Sequence, residues 1–171
     1  MTGRPPSVAS RLERLAELIE RALARLLVLL MIAMVADVTW QVASRFLLRA
    51  PSSFTEELAG FLLIWIGLLG AAYALRTRAH LGIDLLTARL TGPVKLGATV
   101  LAHALVLLFA LSAMVVGGLR LVQLAFQLDQ ISAAIGLRMG YVYLAVPLAG
   151  LLMVVFSLES IAAAVSRRAA R

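Results

Sequence analysis

The sequence predicts an all-α integral membrane protein: four transmembrane helices, an N-terminal amphipathic helix, and a short interfacial helix between spans 2 and 3. Three observations carry this prediction. Of 171 residues, 62% are hydrophobic and mean hydropathy is +0.97, whereas soluble domains carry about 45–50% apolar residues even with glycine counted. Four stretches reach the roughly 20 mostly apolar residues that cross a hydrocarbon core about 30 Å thick. Their connections are too short to hold a soluble domain, so residues 1–171 read as a single membrane domain. Backbone groups left unpaired in lipid cost several kcal/mol, and long uninterrupted apolar runs satisfy them as helices rather than as barrel strands.

The elements follow in order. An amphipathic helix is predicted over about 8–22. Leu12, Leu15 and Ile19 lead into Leu23 and Leu26 at helical spacing, while Arg11, Arg14, Glu17 and Arg21 take other faces. Glu17 and Arg21 stand at the favourable i,i+4 separation, and such a helix lies along a membrane surface. Span one covers 23–48. Its eleven-residue apolar run at 26–36 resembles the core of a signal peptide. Met34 occupies the place of the small residue that precedes cleavage, and hydrophobicity resumes after Asp37, so the span reads as uncleaved. Span two covers 58–75. The interfacial helix is placed at 81–90, with Ile83, Leu86 and Leu90 on one side and Asp84 and Thr87 elsewhere; Pro93 then restarts the chain. Span three covers 96–119. Span four covers 139–158 and is expected to kink at Pro147.

Charge sets the expected orientation. Sixteen Lys and Arg stand against nine Asp and Glu, for a net charge of +7. On a soluble chain that balance would suggest nucleic acid; between apolar spans it reports cytoplasmic loops and anionic lipid. Twelve of the sixteen basic residues fall in the N-terminal segment, in the connection between spans two and three, and in the tail. The positive-inside rule therefore places both termini in the cytoplasm. There is no cysteine, which excludes thiol nucleophiles, disulfides and iron–sulfur clusters.

Polar groups at membrane depth are each a site hypothesis. Asp37, Gln41, Ser44 and Arg45 fall within about a quarter of the circumference of span one. A proton or ion relay through Asp37 competes with a side-chain network that glues this helix to a neighbour, and one carboxylate near a span end with an arginine close by favours the network. Before span two, Ser53 and Glu56 fit a capping box, with Ser53 as N-cap. Gly60, Gly67, Ala71 and Ala74 share one side of span two, flanked by Glu56 and Glu57. Small residues let helices approach closely, so this side is predicted to be a tight packing face crowned by two acids suited to Arg45 or to an arginine of another subunit. A two-carboxylate metal or catalytic site is disfavoured because no histidine stands near. A haem held by two histidines needs two ligands at membrane depth, and His103 is alone there. No catalytic, cofactor-binding or metal residue is expected.

The run from Trp40 to Leu90 carries a more specific signal. Arg45, Phe54-Thr55-Glu56-Glu57, Trp65, Gly70-Ala71-Ala72 and Arg76-Thr77-Arg78-Ala79-His80-Leu81-Gly82-Ile83-Asp84 resemble, in order and spacing, the small membrane (DctQ-type) subunit of tripartite ATP-independent periplasmic (TRAP) transporters. Gln130-Ile131-Ser132 and the stretch through Tyr143, Pro147 and Gly150 are similar to that family but less specific. Phe54 departs mildly from the tryptophan common before the acid pair. The resemblance implies a scaffold subunit without catalytic chemistry, supporting a large elevator-type permease that carries the substrate and sodium sites, while a periplasmic solute-binding protein delivers an organic acid. With it goes a place in a bacterial inner membrane, with Arg45, Glu56 and Glu57 organising the periplasmic end and Arg76, Arg78, His80 and Asp84 the cytoplasmic end; together with Asp37, Gln41, Gly60, Trp65, Gly67 and Ala71 these are the residues expected to contact partner or lipid. The competing classes are a stand-alone proton-coupled exporter using Asp37 and a small membrane enzyme.

Overall fold

The computed structural model describes the backbone of residues 8–47, 52–87 and 93–169 and the side chains of 13–47, 52–77 and 97–166. The described chain is helical, with one isolated β-bridge between Ile131 and Arg138. Helix α1 runs Val8–Phe46, α2 Ser53–Thr87, and α3 Pro93–Phe109; α3 continues through a π-helical segment, Ala110–Gly117, into α4, Gly118–Gln127. A short α5, Met139–Tyr143, precedes α6, Ala145–Ala169. Four stretches among the described residues are long and apolar enough to cross a membrane: Glu13–Phe46, Ser53–Thr77, Gly97–Gln127 and Met139–Ser166.

Several boundaries differ from those the sequence predicts. The segment predicted as a separate surface helix, 8–22, and span one form one unbroken helix of 39 residues. At 1.5 Å per residue that is about 58 Å, nearly twice the hydrocarbon thickness, so its first turns extend beyond the core. Residues 81–87, predicted to open an interfacial helix, continue α2; residues 88–90 lie outside the described residues. The third span runs on to Gln127 rather than stopping at Leu119. Arg120 ends the charge-free run, yet Gly118, Val122 and Ala125 continue a buried stripe at i, i+4 and i+7. That stripe faces protein, so hydropathy alone does not register it.

Span four is broken between α5 and α6 at Leu144. Proline lacks an amide hydrogen, and its ring presses on the carbonyl four residues earlier. For Pro147 that carbonyl belongs to Tyr143, so the break falls just before the proline. Helix α6 is the central element, packing against α1, α2, α3 and the π segment. Its span is 39% buried against 11–17% for the other three, so the outer three helices present most of their surface to whatever surrounds the chain. Phe156, Ala149, Met114, Leu69, Leu23 and Ala16 form the core.

Two glycines set the closest crossing. A Cβ added at Gly118 would lie 2.9 Å from Pro147 Cδ, and one at Gly150 would lie 2.7 Å from Met114 Cβ. Both distances are shorter than side chains tolerate, so α6 seats against the π segment and α4 only because these side chains are missing. Thermal unfolding of the full chain in detergent checks this: Gly150→Val lowers stability by roughly 1–3 kcal/mol through overpacking, whereas Gly67→Ala, with nothing within 4 Å of the new carbon, leaves it unchanged.

Candidate functional site

Three features stand out, one at each end of the bundle and one on the outside of α2. At the end where α2 begins, the helix is capped by Ser52, one residue before the Ser53 the sequence pattern suggests. The amide of Thr55 donates to Ser52 Oγ at 3.5 Å, and Thr55 Oγ1 donates to the Ser52 carbonyl at 2.9 Å. Glu57 comes one turn later and is half-buried. Its Oε2 accepts three hydrogen bonds from the loop between α4 and α5: Ser132 Oγ at 2.6 Å, the Ala134 amide at 2.9 Å and the Ile135 amide at 3.0 Å.

The loop is built to present those donors. Ser132 donates its amide to the Leu137 carbonyl, Gly136 donates back to the Ser132 carbonyl, and Met139 closes the turn on Gln130. Successive amides in such a turn make a concave anion cradle; here the anion is the protein's own carboxylate. An exposed ion pair, Asp129 to Arg138 at 3.3 Å, spans the outside of the same loop.

The residues grouped by the sequence reading are only partly brought together here. Glu56 is exposed, Arg45 is exposed at the end of α1, and among the described residues no ion pair joins Arg45 to either acid. In the stripe on α1, Asp37 and Ser44 are buried, Gln41 is half-buried and Arg45 faces out. Ser44 Oγ donates to the carbonyl of Gln41 on its own helix, and one Asp37 carboxylate oxygen has no hydrogen-bond partner among the described residues. His103 is buried within α3.

At the opposite end Arg76 reaches inward rather than toward lipid or partner. Its Nε donates to Glu20 of α1 at 3.2 Å, and its Nη1 donates to Glu159 of α6 at 2.5 Å. The side chains of Arg76, Glu159 and Glu20 are 12%, 10% and 31% exposed, so one guanidinium ties three helices together in a largely enclosed site. The sequence reading did not single out Glu20 or Glu159. A signal was present: Glu20 stands in register with Ala16 and Leu23, and Glu159 follows Phe156 by three, which puts each acid on its helix's buried stripe. Arg78, His80 and Asp84 lie further along α2, with side chains outside the described residues.

The third feature is the predicted packing face of α2. Leu69 and Ala72 are buried, with Trp65 against the same core. Gly60, Gly67 and Ala71 stand on the other side of the helix and are exposed, and a Cβ added at Gly60 or Gly67 meets nothing within 4 Å. Among the described residues nothing approaches the two glycines of the small-residue face, while Ala74, predicted on the same face, is half-buried.

Comparison with known proteins defines the class. The family model for tripartite ATP-independent periplasmic transporters, DctQ component, matches residues 34–167, and the chain belongs to that family: it is the small membrane component of a TRAP transporter, a transport subunit and not an enzyme. The particular relative is the sialic acid TRAP transporter small permease protein SiaQ of Vibrio cholerae, 31% identical over 132 residues, which covers 77% of this chain and 75% of that protein. The exporter and enzyme alternatives give way to this assignment.

Two measurements probe the locks. Removing one member of a buried ion cluster leaves uncompensated charge and costs about 3–5 kcal/mol; Arg76→Ala lowers the unfolding midpoint accordingly, and Glu159→Gln on the Arg76→Ala background recovers part of the loss. Hydrogen bonds to a charged acceptor are stronger than those between neutral groups. Glu57→Ala therefore speeds hydrogen exchange at the Ala134 and Ile135 amides by roughly tenfold or more, and Glu57→Gln, which keeps one acceptor oxygen, produces a smaller effect.

Proposed function

We propose that this chain is the scaffold of its transporter, clamping a large elevator-type permease subunit that moves while the small subunit stays fixed. The observation that carries this reading is the outward face of α2: Gly60, Gly67 and Ala71 are exposed, and no described residue comes near the two glycines. Backbone-close packing by small residues is how helices associate in lipid. The rest of the chain suits a fixed part. Arg76 pins α1, α2 and α6 at one end, Glu57 pins the α4–α5 loop at the other, and neither leaves a polar path through the bundle.

On this reading the substrate and sodium sites belong to the large subunit, and a periplasmic solute-binding protein delivers the substrate. An organic acid is the substrate class. The relative's name points to sialic acid, a carboxylated sugar, as the first candidate to assay. The distribution of basic residues supports cytoplasmic termini, which puts the Glu57 cradle and the 128–138 loop on the periplasmic side and the Arg76 cluster near the cytoplasm.

Co-purification with the large permease tests the clamp. Gly60→Leu and Gly67→Leu abolish stoichiometric recovery of the permease while leaving the unfolding midpoint of the lone chain unchanged; undiminished recovery in both variants overturns the assignment of this face. Reconstituted alone in liposomes the chain transports nothing, and sodium-driven uptake by it alone would sink the scaffold role. Because the chain has no native cysteine, orientation is read directly. Ala133→Cys labels with an impermeant maleimide on intact spheroplasts, and Thr2→Cys labels only after permeabilisation.

A further inference from the structure

Outside the features above, the described part of the chain holds an open apolar groove of about 650 Å³, lined by one side of α1 over residues 24–36 and by Tyr73 of α2. We propose that this groove holds an acyl chain of an anionic phospholipid whose headgroup phosphate is bound by Arg21.

Three observations select this occupant. The first is length. Twelve steps at 1.5 Å make the groove about 18 Å long, close to the roughly 15 Å of hydrocarbon in one leaflet. Its lining ends at Ala36.

The second is charge at the mouth. Arg21 lies one turn before Ala24 on the same side of α1, and its side chain is 64% exposed, held only by an exposed 3.5 Å pair with Glu17. Arg25 is exposed beside it. A phosphate can displace so weak a partner, since exposed pairs contribute at most about 1 kcal/mol.

The third is register. Helices α1 and α2 run antiparallel with Arg76 against Glu20, so Tyr73, about 4.5 Å deeper along α2, stands at the Ala24 end. Its side chain lines that end of the groove, where an interfacial tyrosine is expected. Tyr73 is also well over a quarter-turn from Gly60 and Gly67 around α2, so a subunit seated on the small-residue face leaves the groove to lipid. Which leaflet supplies the lipid rests on the orientation proposed above; binding itself does not.

Native mass spectrometry of the full chain in mild detergent, titrated with palmitoyl-oleoyl phosphatidylglycerol or phosphatidylethanolamine, tests the site. One phosphatidylglycerol is retained per chain in preference to phosphatidylethanolamine. Arg21→Gln reduces that preference about fivefold, the worth of one basic residue at a membrane surface, and Val28→Trp, which fills the groove, removes retention of both lipids. Ala24→Leu is a milder filling variant that gives the same ranking if Val28→Trp misfolds. Equal retention of the two lipids by the unaltered chain, or unchanged retention in the filled variants, overturns the proposal. In membranes that also contain the large subunit, a photocrosslinker at Met31 captures lipid; capture of protein instead overturns it. The liposome assay and the Gly67→Leu co-purification are independent of these results, so failure of the lipid site and failure of the scaffold role are told apart.

Discussion

In a bilayer the hydrophobic effect does not draw one helix to another, because lipid tails are as apolar as leucine. A four-helix chain in that solvent is held by what remains: close dispersion contact where side chains are missing, and polar interactions strong enough to fix geometry. This protein uses both, in separate places. Gly118 and Gly150 bring α6 onto the π segment and α4, while Arg76 and Glu57 fasten the two ends of the bundle. The middle is left to ordinary apolar packing around Phe156 and Leu69.

The two end locks differ in kind. Arg76 meets two carboxylates, so the cluster carries one more acid than base in a chain whose net charge is +7. Desolvating charges is costly, and such a cluster contributes register more securely than net stability; here it fixes how far α1 and α6 slide along α2. Glu57 meets neutral donors, a hydroxyl and two backbone amides. It has no charge to match, and what it determines is the shape of a loop that would otherwise lack a core of its own.

The four spans were legible because hydropathy over about 20 residues is a strong signal and every apolar run here is long. What stayed hidden is instructive residue by residue. Ser52 and Ser53 are chemically the same cap, and only the chain's path into α2 decides between them. The end of span three was set at Leu119 because Arg120 breaks the apolar run, while Val122 and Ala125 turn a buried stripe toward protein. Glu20 and Glu159 belong to no motif; each is a single acid whose meaning comes from a helix distant in sequence. Gly60, Gly67 and Ala71 read as a packing face from their spacing, and spacing cannot say that no described residue covers the two glycines.

That last point bears on how the subunit works. Among the described residues the strongest interactions serve rigidity, and the glycines of the small-residue face are left uncovered, an arrangement with little purpose in a protein that acts alone. A transporter that closes around its substrate needs bistable elements with comparable packings, and such elements are poorly served by a buried ion cluster and side-chain-free crossings. A part against which something else moves has the opposite requirement: fixed geometry, few polar groups at membrane depth, and one face shaped for close approach. The π segment is consistent with this, since its buried residues, Ala110 and Met114, seat against α6, where Gly150 leaves room for Met114. The division follows from where the polar groups are spent: among the described residues Arg76, Glu20 and Glu159 hold the chain's own helices and Glu57 holds its own loop, while the outward side of α2 at Gly60 and Gly67 carries only backbone-close space.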